Sequence, residues 1–191
     1  MPRKPMYTRE EILDCAYQMV RREGIETLSA RNLARELDTS VAPIFTAFSS
    51  IDELISAVVD RAKALYDKYV SEGLSESLPF KGAGMKYIEF AKDEPKLFKL
   101  LFMSDNTYPR DTGYFPSGDS NEASVRGALS LTHGISDPTA RNIYNYMSVF
   151  VHGLAVTYAG GNGVFSDEEL VSTVSQAFYA LKDYFKENKE N

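Results

Sequence analysis

A chain of 191 residues with a formal net charge of −6 and 43% apolar residues can build a substantial core, hiding roughly 70% of the surface its unfolded form exposes. Its single cysteine, Cys15, excludes an internal disulfide, and the polar start MPRKPMYTREE carries no secretory signal, so a soluble, cytoplasmic chain is expected. The longest uncharged run, Asn142 to Ser166, holds Asn145, His152 and several glycines and reads as a buried helix rather than a membrane span. Helix-start signals then recur along the chain, and strand alternation does not.

Thr8-Arg9-Glu10-Glu11 has the form of a capping box, with Tyr7 and Ile12 spaced as a hydrophobic staple. Ile12, Cys15, Ala16, Met19 and Val20 follow at helical spacing, and Gly24 ends the run. Ser29 is placed to cap a second helix carrying Leu33, Ala34 and Leu37, and Ser40 a third with Pro43 in its first turn, where the missing N–H costs little. Ser50-Ile51-Asp52-Glu53 is a further capping box, opening a long helix through Tyr69. SEGLSESLPFKG reads as a break, after which MKYIEFAKD from Gly84 is helical and DEPKLFKLLF restarts it, with Asp93 as the expected cap. Ser104 to Glu122, rich in Gly, Pro, Asp and Ser, reads as a long surface loop. A helix from about Ala123 to Gly134 follows. Asp137-Pro138 opens another with Ile143, Met147, Phe150, Val151, Leu154 and Tyr158 on one side. Ser166-Asp167-Glu168-Glu169 caps the last, whose stripe is Val174, Ala177, Phe178, Leu181 and Phe185. The expectation is an all-α chain of about nine helices.

The segment LARELDTSVAPIFTAFSS, Leu33 to Ser50, places two helices too short to stand alone around a tight turn. Leu33, Leu37, Ile44 and Phe48 would face the core, Ala34 would let the second helix cross closely, and Asp38 would take a left-handed turn position. Such a pair fits a helix-turn-helix, although two structural helices in a bundle fit the spacing equally. Charge distribution is compatible with a nucleic-acid partner. Residues 1–50 hold 7 basic and 7 acidic side chains, whereas residues 51–191 hold 14 and 20. Only the contacting face must be positive.

The wider run GIETLSARNLARELDTSVAPIFTAFSSIDELISAVV, Gly24 to Val59, resembles the TetR family of transcriptional regulators. YIEFAKDEPKLFKLLF (Tyr87 to Phe102) and FVHGLAV (Phe150 to Val156) resemble the C-terminal domain of members with a His-Gly motif. The resemblance implies a helix-turn-helix head over residues 1–50, a connecting helix over 51–70 and a ligand-binding and dimerisation domain over 71–191. It also implies a ligand-responsive repressor that binds a palindromic DNA operator as a homodimer. The chain departs from the family at Asp38, usually Gly, at Phe45, usually Tyr, at Ala47, usually His or Tyr, and at Ile51, usually Lys. The last three positions supply phosphate contacts in the family, and here all are apolar.

Candidate DNA-binding residues are therefore Ser40, Val41, Ala42, Pro43, Phe45 and Thr46 at the tip of the recognition helix, with Ser29, Arg31 and the Arg3/Lys4 arm for phosphates. The tip lacks Arg, Lys, Asn and Gln, so base readout should lean on thymine methyls and the Ser40 and Thr46 hydroxyls. Candidate effector-binding residues are Tyr66, Tyr87, Phe90, Phe102, Tyr144 and Met147, beside the Ser104–Glu122 loop, with His152 as a ligand contact or a core histidine. A shortage of cationic candidates there favours a neutral or cationic effector that is small and apolar or aromatic. The homodimer is expected through the helices 138–160 and 167–188, with Gly153, Ala155 and Ala159 permitting close approach. Neither His133 nor His152 follows a Glu at metal-ligand spacing, and no nucleophile elbow or phosphate loop is present. No metal, cofactor or enzymatic activity is expected. The alternative function is a helical adaptor or ligand-binding protein of the same fold with weakened or lost DNA binding.

Overall fold

The computed structural model describes residues 7–103 and 121–187. Every α-helix and one 3-10 turn, Ile25–Thr27, come without a strand among the described residues: α1 (Arg9–Glu23), α2 (Ala30–Glu36), α3 (Ala42–Ala47), α4 (Ile51–Leu74), α5 (Pro79–Asp93), α6 (Pro95–Phe102), α7 (Glu122–His133), α8 (Asp137–Ala159) and α9 (Asp167–Glu187). The all-α expectation holds. The described residues divide into two compact units, one of residues 7–65 and 96–103 and the other of residues 66–95 and 121–187.

In the first unit, α1 begins on a complete capping box: the Glu11 N–H donates to the Thr8 hydroxyl, and the Thr8 N–H to the Glu11 carboxylate at 2.7 Å. The apolar stripe of α1 meets α2 and α3 over a core of Ile12, Ala16, Val20, Leu33, Ile44 and Phe48. Leu37 and Cys15 are only half-buried. Burial pushes the Cys15 thiol pKa up, which lowers its nucleophilicity. Leu54, Val58 and Ala62 of α4 add to this core. Arg61 pairs with Asp14 at 3.0 Å and lies over the Tyr17 ring.

In the second unit α5 packs chiefly on α8, with α7 and α9 on its other sides. Ile88, Phe90, Leu129, Ile143 and Leu170 are fully enclosed. Gly73 in the last turn of α4 and Gly82 in the first turns of α5 bring the two backbones together. A Cβ on Gly73 would come within 2.5 Å of the Gly82 carbonyl group. Tyr69 donates to Asp93 at 2.9 Å, and burial, followed by that bond, holds its phenol well above the ordinary range.

Several local expectations need correction. Val41, not Ser40, is the N-cap of α3; it already has helical angles and no side-chain cap, while Pro43 does fall in the first turn. Glu53 reaches back to the Ser49 N–H and hydroxyl, both at 2.6 Å, one residue before the expected Ser50, although Ser50 still accepts from the Glu53 N–H. The break after α4 is only four residues long, because α5 starts at Pro79 rather than Gly84. Asp93 ends α5 instead of capping α6, and the junction residue Glu94 is buried. Phe150 is exposed rather than on the core side of α8. The Ser166–Glu169 box forms reciprocally, as read. The loop expected between Ser104 and Glu122 lies outside the described residues except for its last two, and Glu122 already belongs to α7.

Candidate nucleic-acid interface and ligand cavity

Two short helices hold their geometry here through side-chain and turn bonds rather than length. Ser29 accepts from the Asn32 N–H at 3.2 Å to start α2, and Asn32 donates to the Thr27 carbonyl at 2.8 Å. Asp38 follows the C-cap Leu37 with φ 49. The Thr39 N–H returns to the Ala34 carbonyl at 2.9 Å and the Asp38 N–H to that of Arg35 at 3.2 Å. This pair of bonds is a Schellman closure, in which an aspartate occupies the left-handed position that glycine usually takes. Tyr7 donates to the Leu37 carbonyl at 2.6 Å, fastening the chain before α1 to the same turn.

At the other end of α3, Arg9 donates to the Ala47 carbonyl at 2.5 Å, pairs with Glu53 at 2.9 Å and lies 3.9 Å over the Phe48 ring. A cation at the helix C-terminus satisfies a carbonyl and complements the dipole. The Ser49 hydrogen bonds, then Arg9, hold the Glu53 carboxyl below its ordinary range. The sequence reading missed Arg9; its only local signal was a position inside the capping box.

This clamp presents an outward face. Ser40, Val41, Ala42, Phe45 and Thr46 are exposed and Pro43 is half-buried, whereas Ile44 is enclosed. Thr46 spends its proton on the Ala42 carbonyl at 2.9 Å, so toward a base edge it can only accept. Arg31 is exposed and carries no ion pair or hydrogen bond among the described residues. By contrast, Arg22 is tied to Glu23 and Glu36 and Arg61 to Glu10 and Asp14. Ser29 is half-buried. Arg3 and Lys4 lie outside the described residues.

The second unit contains a mostly apolar cavity of about 110 Å³. Tyr66, Tyr87, Tyr144 and Met147 line it together. Phe90 does not line it: it is fully buried behind them, with its ring 5.5 Å from Tyr66 and 5.4 Å from Tyr69. Phe102 belongs to the first unit, stacked at 5.2 Å on Phe98. His152 also stands outside the lining, with its Nδ1 2.8 Å from the Tyr87 hydroxyl. Burial pushes the His152 pKa down, so a neutral ring can accept from the phenol and fix the orientation of a lining tyrosine. The sequence reading missed Lys81 and His133, which line the same cavity from α5 and α7, along with Phe80, Phe178 and Tyr179. No single stretch carries that convergence.

α8 has a second apolar side. Tyr146, Val149 and Phe150 are exposed, as is Gly153, at the i, i+3, i+4, i+7 spacing of one helical face. Ala155 and Ala159, expected on that side, are buried within their own chain. Tyr146 meets Phe185 of α9 at 5.9 Å, and Tyr179 and Tyr184 of α9 are more than half exposed.

The clamped short-helix pair of the first unit and the cavity-bearing helices of the second make up a fold similar to that of the TetR family. A solved TetR family member from Streptomyces coelicolor A3 shares this fold, with a TM-score of 0.57 and 19% identity over 88% of this chain and 96% of that one. An HTH-type transcriptional repressor of Mycobacterium tuberculosis is 29% identical over 151 residues, 77% of this chain and 56% of that protein. The HTH-type nicotine-responsive transcriptional repressor HdnoR of Paenarthrobacter nicotinovorans is 37% identical over 49 residues, 26% of this chain and 25% of that protein. The chain thus spans about a quarter to about half the length of the curated relatives it matches. No protein-family model matches it. Among the described residues, no helix is long and apolar enough to cross a membrane.

Proposed function

We propose that this chain is a ligand-responsive transcriptional repressor that binds a palindromic operator as a homodimer. The observation that carries the reading is the display of α3. A six-residue helix is fixed at both ends by the Asp38 turn and by Arg9, with Ile44 inward and Val41, Ala42, Phe45 and Thr46 outward. Likeness to HTH-type repressors supports the same conclusion.

In this reading residues 1–50 are the DNA-binding head, 51–70 connect it, and 71–191 bind effector and partner. α3 enters the major groove, and two heads read half-sites about 34–36 Å apart or a multiple of that. Val41, Ala42, Pro43 and Phe45 meet thymine methyls, while Ser40 donates and Thr46 accepts at base edges. Arg31, Ser29 and the Arg3/Lys4 arm grip phosphates, because Phe45, Ala47 and Ile51 have no polar group to offer. The exposed stripe from Tyr146 to Gly153, with the α9 tyrosines, pairs with itself across a twofold axis. A small apolar or aromatic effector fills the cavity beside Tyr66, Tyr87, Tyr144 and Met147. It changes DNA affinity only by favouring one arrangement of the heads over another. The name of the nicotine-responsive relative supports a small molecule as the signal.

A second reading, an adaptor or ligand-binding protein of the same fold without DNA binding, is favoured by one observation: the three apolar replacements at Phe45, Ala47 and Ile51. An electrophoretic screen against the gene's own upstream DNA separates the two. A discrete complex containing two protomers supports the repressor, and no retarded complex with any upstream fragment supports the adaptor.

A further inference from the structure

We infer that the effector is an amphipathic anion, an apolar or aromatic body carrying one carboxylate or similar acid group held by Lys81 and His133. The inference rests on the proposed effector site and names its chemistry.

The cavity lining contains one ammonium and one imidazole but no Asp or Glu. Lys81 is half-buried and makes no ion pair or hydrogen bond among the described residues. It stands apart from Lys86 and Lys92, which are tied to Glu89 at 2.8 Å and Asp167 at 2.6 Å. A half-buried cation without a counter-charge beside an apolar cavity offers an entering anion a charge-assisted partner.

Lys81 and His133 belong to one lining, on helices that both meet Phe178. The Phe178 ring lies 5.6 Å from Phe80, the neighbour of Lys81, and 5.0 Å from His133. Lys182 of α9 acts on His133 with its positive charge, adding to burial in pushing that imidazole's pKa down. Lys81 occupies the first turn of the 15-residue α5, where no side chain caps the helix. The Glu76 carboxyl is exposed beside Gly82 and does not line the cavity. Away from this basic group the lining is aromatic, with Tyr66 and Tyr87 edge-on at 5.9 Å. A charged head against Lys81 and an aromatic tail against the tyrosines satisfy both regions at once. Of the neutral or cationic effector expected from the sequence, a cationic one would meet Lys81 with like charge.

Three probes with one skeleton test this: 4-phenylbutanoate, 4-phenylbutanamide and 4-phenylbutylamine, titrated calorimetrically into the full chain at pH 7. The expected result is at least tenfold tighter binding of the carboxylate than of the amide, with the amine weakest. In Lys81→Met, which keeps the apolar stem, that preference should fall to about twofold or less while amide affinity holds. His133→Gln, a neutral hydrogen-bonding replacement, should lose a smaller part of it. Equal binding of all three probes, or a preference surviving Lys81→Met, overturns the anionic assignment and leaves the apolar cavity standing as an effector site. Binding of none overturns both. DNA binding is read separately and is unaffected by either result.

Discussion

Three glycines separate the demands of one chain from those of a pair. A Cβ on Gly127 of α7 or on Gly153 of α8 would meet nothing within 4 Å, whereas one on Gly82 would overlap the Gly73 carbonyl oxygen. Within a single chain, Gly127→Ala and Gly153→Ala should therefore behave alike. Each gains about 0.8–1.0 kcal/mol of helix propensity, which raises Tm by about 2–4 °C for a chain of this size. Gly153 differs in standing on the exposed stripe with Tyr146, Val149 and Phe150. If that stripe closes a C2 interface by close helix approach, the new methyl enters a packed contact from both sides. Overpacking of about 1–3 kcal/mol then weakens dimerisation by about five- to 150-fold. Sedimentation equilibrium across nanomolar to micromolar protein measures the dimer constant, and melting at two concentrations gives Tm. Gly127→Ala should raise Tm with the dimer constant unchanged. A Gly153→Ala protein that dimerises as tightly as the wild type and gains the same few degrees would refute an interface on this face.

Other expectations follow from single contacts. Asp38 holds φ 49, a conformation L-residues enter at a cost; Asp38→Gly should stabilise the head by about 1 kcal/mol, read by urea denaturation. Gly82→Ala should lower Tm despite its helix-propensity gain, because backbone meets backbone there. Both His133 and His152 have pKa values pushed down by burial, so the unfolded chain binds more protons as pH falls below its ordinary imidazole pKa near 6.5. Stability should thus be full above that pH and fall below it until the folded pKa values are passed. Denaturation at pH 7.5 and 5.5 should show the loss, and His152→Gln should reduce it.

Local features were legible where one unambiguous donor–acceptor pair lay within four residues. The boxes at Thr8–Glu11 and Ser166–Glu169 form as read because donor and acceptor are one helical turn apart. Adjacent alternatives were not resolved: Glu53 chose Ser49 over Ser50, and α3 began on Val41 because Ser40 makes no cap. The start of α5 was hidden by Leu78-Pro79, which carries no capping side chain and reads as a loop. On α8 both sides are apolar, so pattern alone could not divide Ala155 and Ala159, turned to their own core, from Gly153. Four of the cavity residues, Tyr66, Tyr87, Tyr144 and Met147, were named from the sequence because an effector pocket is lined by apolar and aromatic side chains. Lys81 and His133 were not, because their place in one lining depends on how α5, α7 and α9 pack.

The central claim is DNA recognition by α3 with Arg31 as a phosphate contact, and fluorescence anisotropy over a salt series tests it most directly. A labelled duplex carrying a palindrome from the upstream fragment retarded in the electrophoretic screen is titrated with wild type, Arg31→Ala and Ile51→Lys, with an unrelated duplex of equal length as competitor. Each phosphate contact contributes about 0.9 to the log–log salt slope. Arg31→Ala should weaken binding and flatten that slope by about one unit, and Ile51→Lys should tighten binding and steepen it by about as much. Wild-type binding no stronger to the palindrome than to the unrelated duplex would contradict the claim.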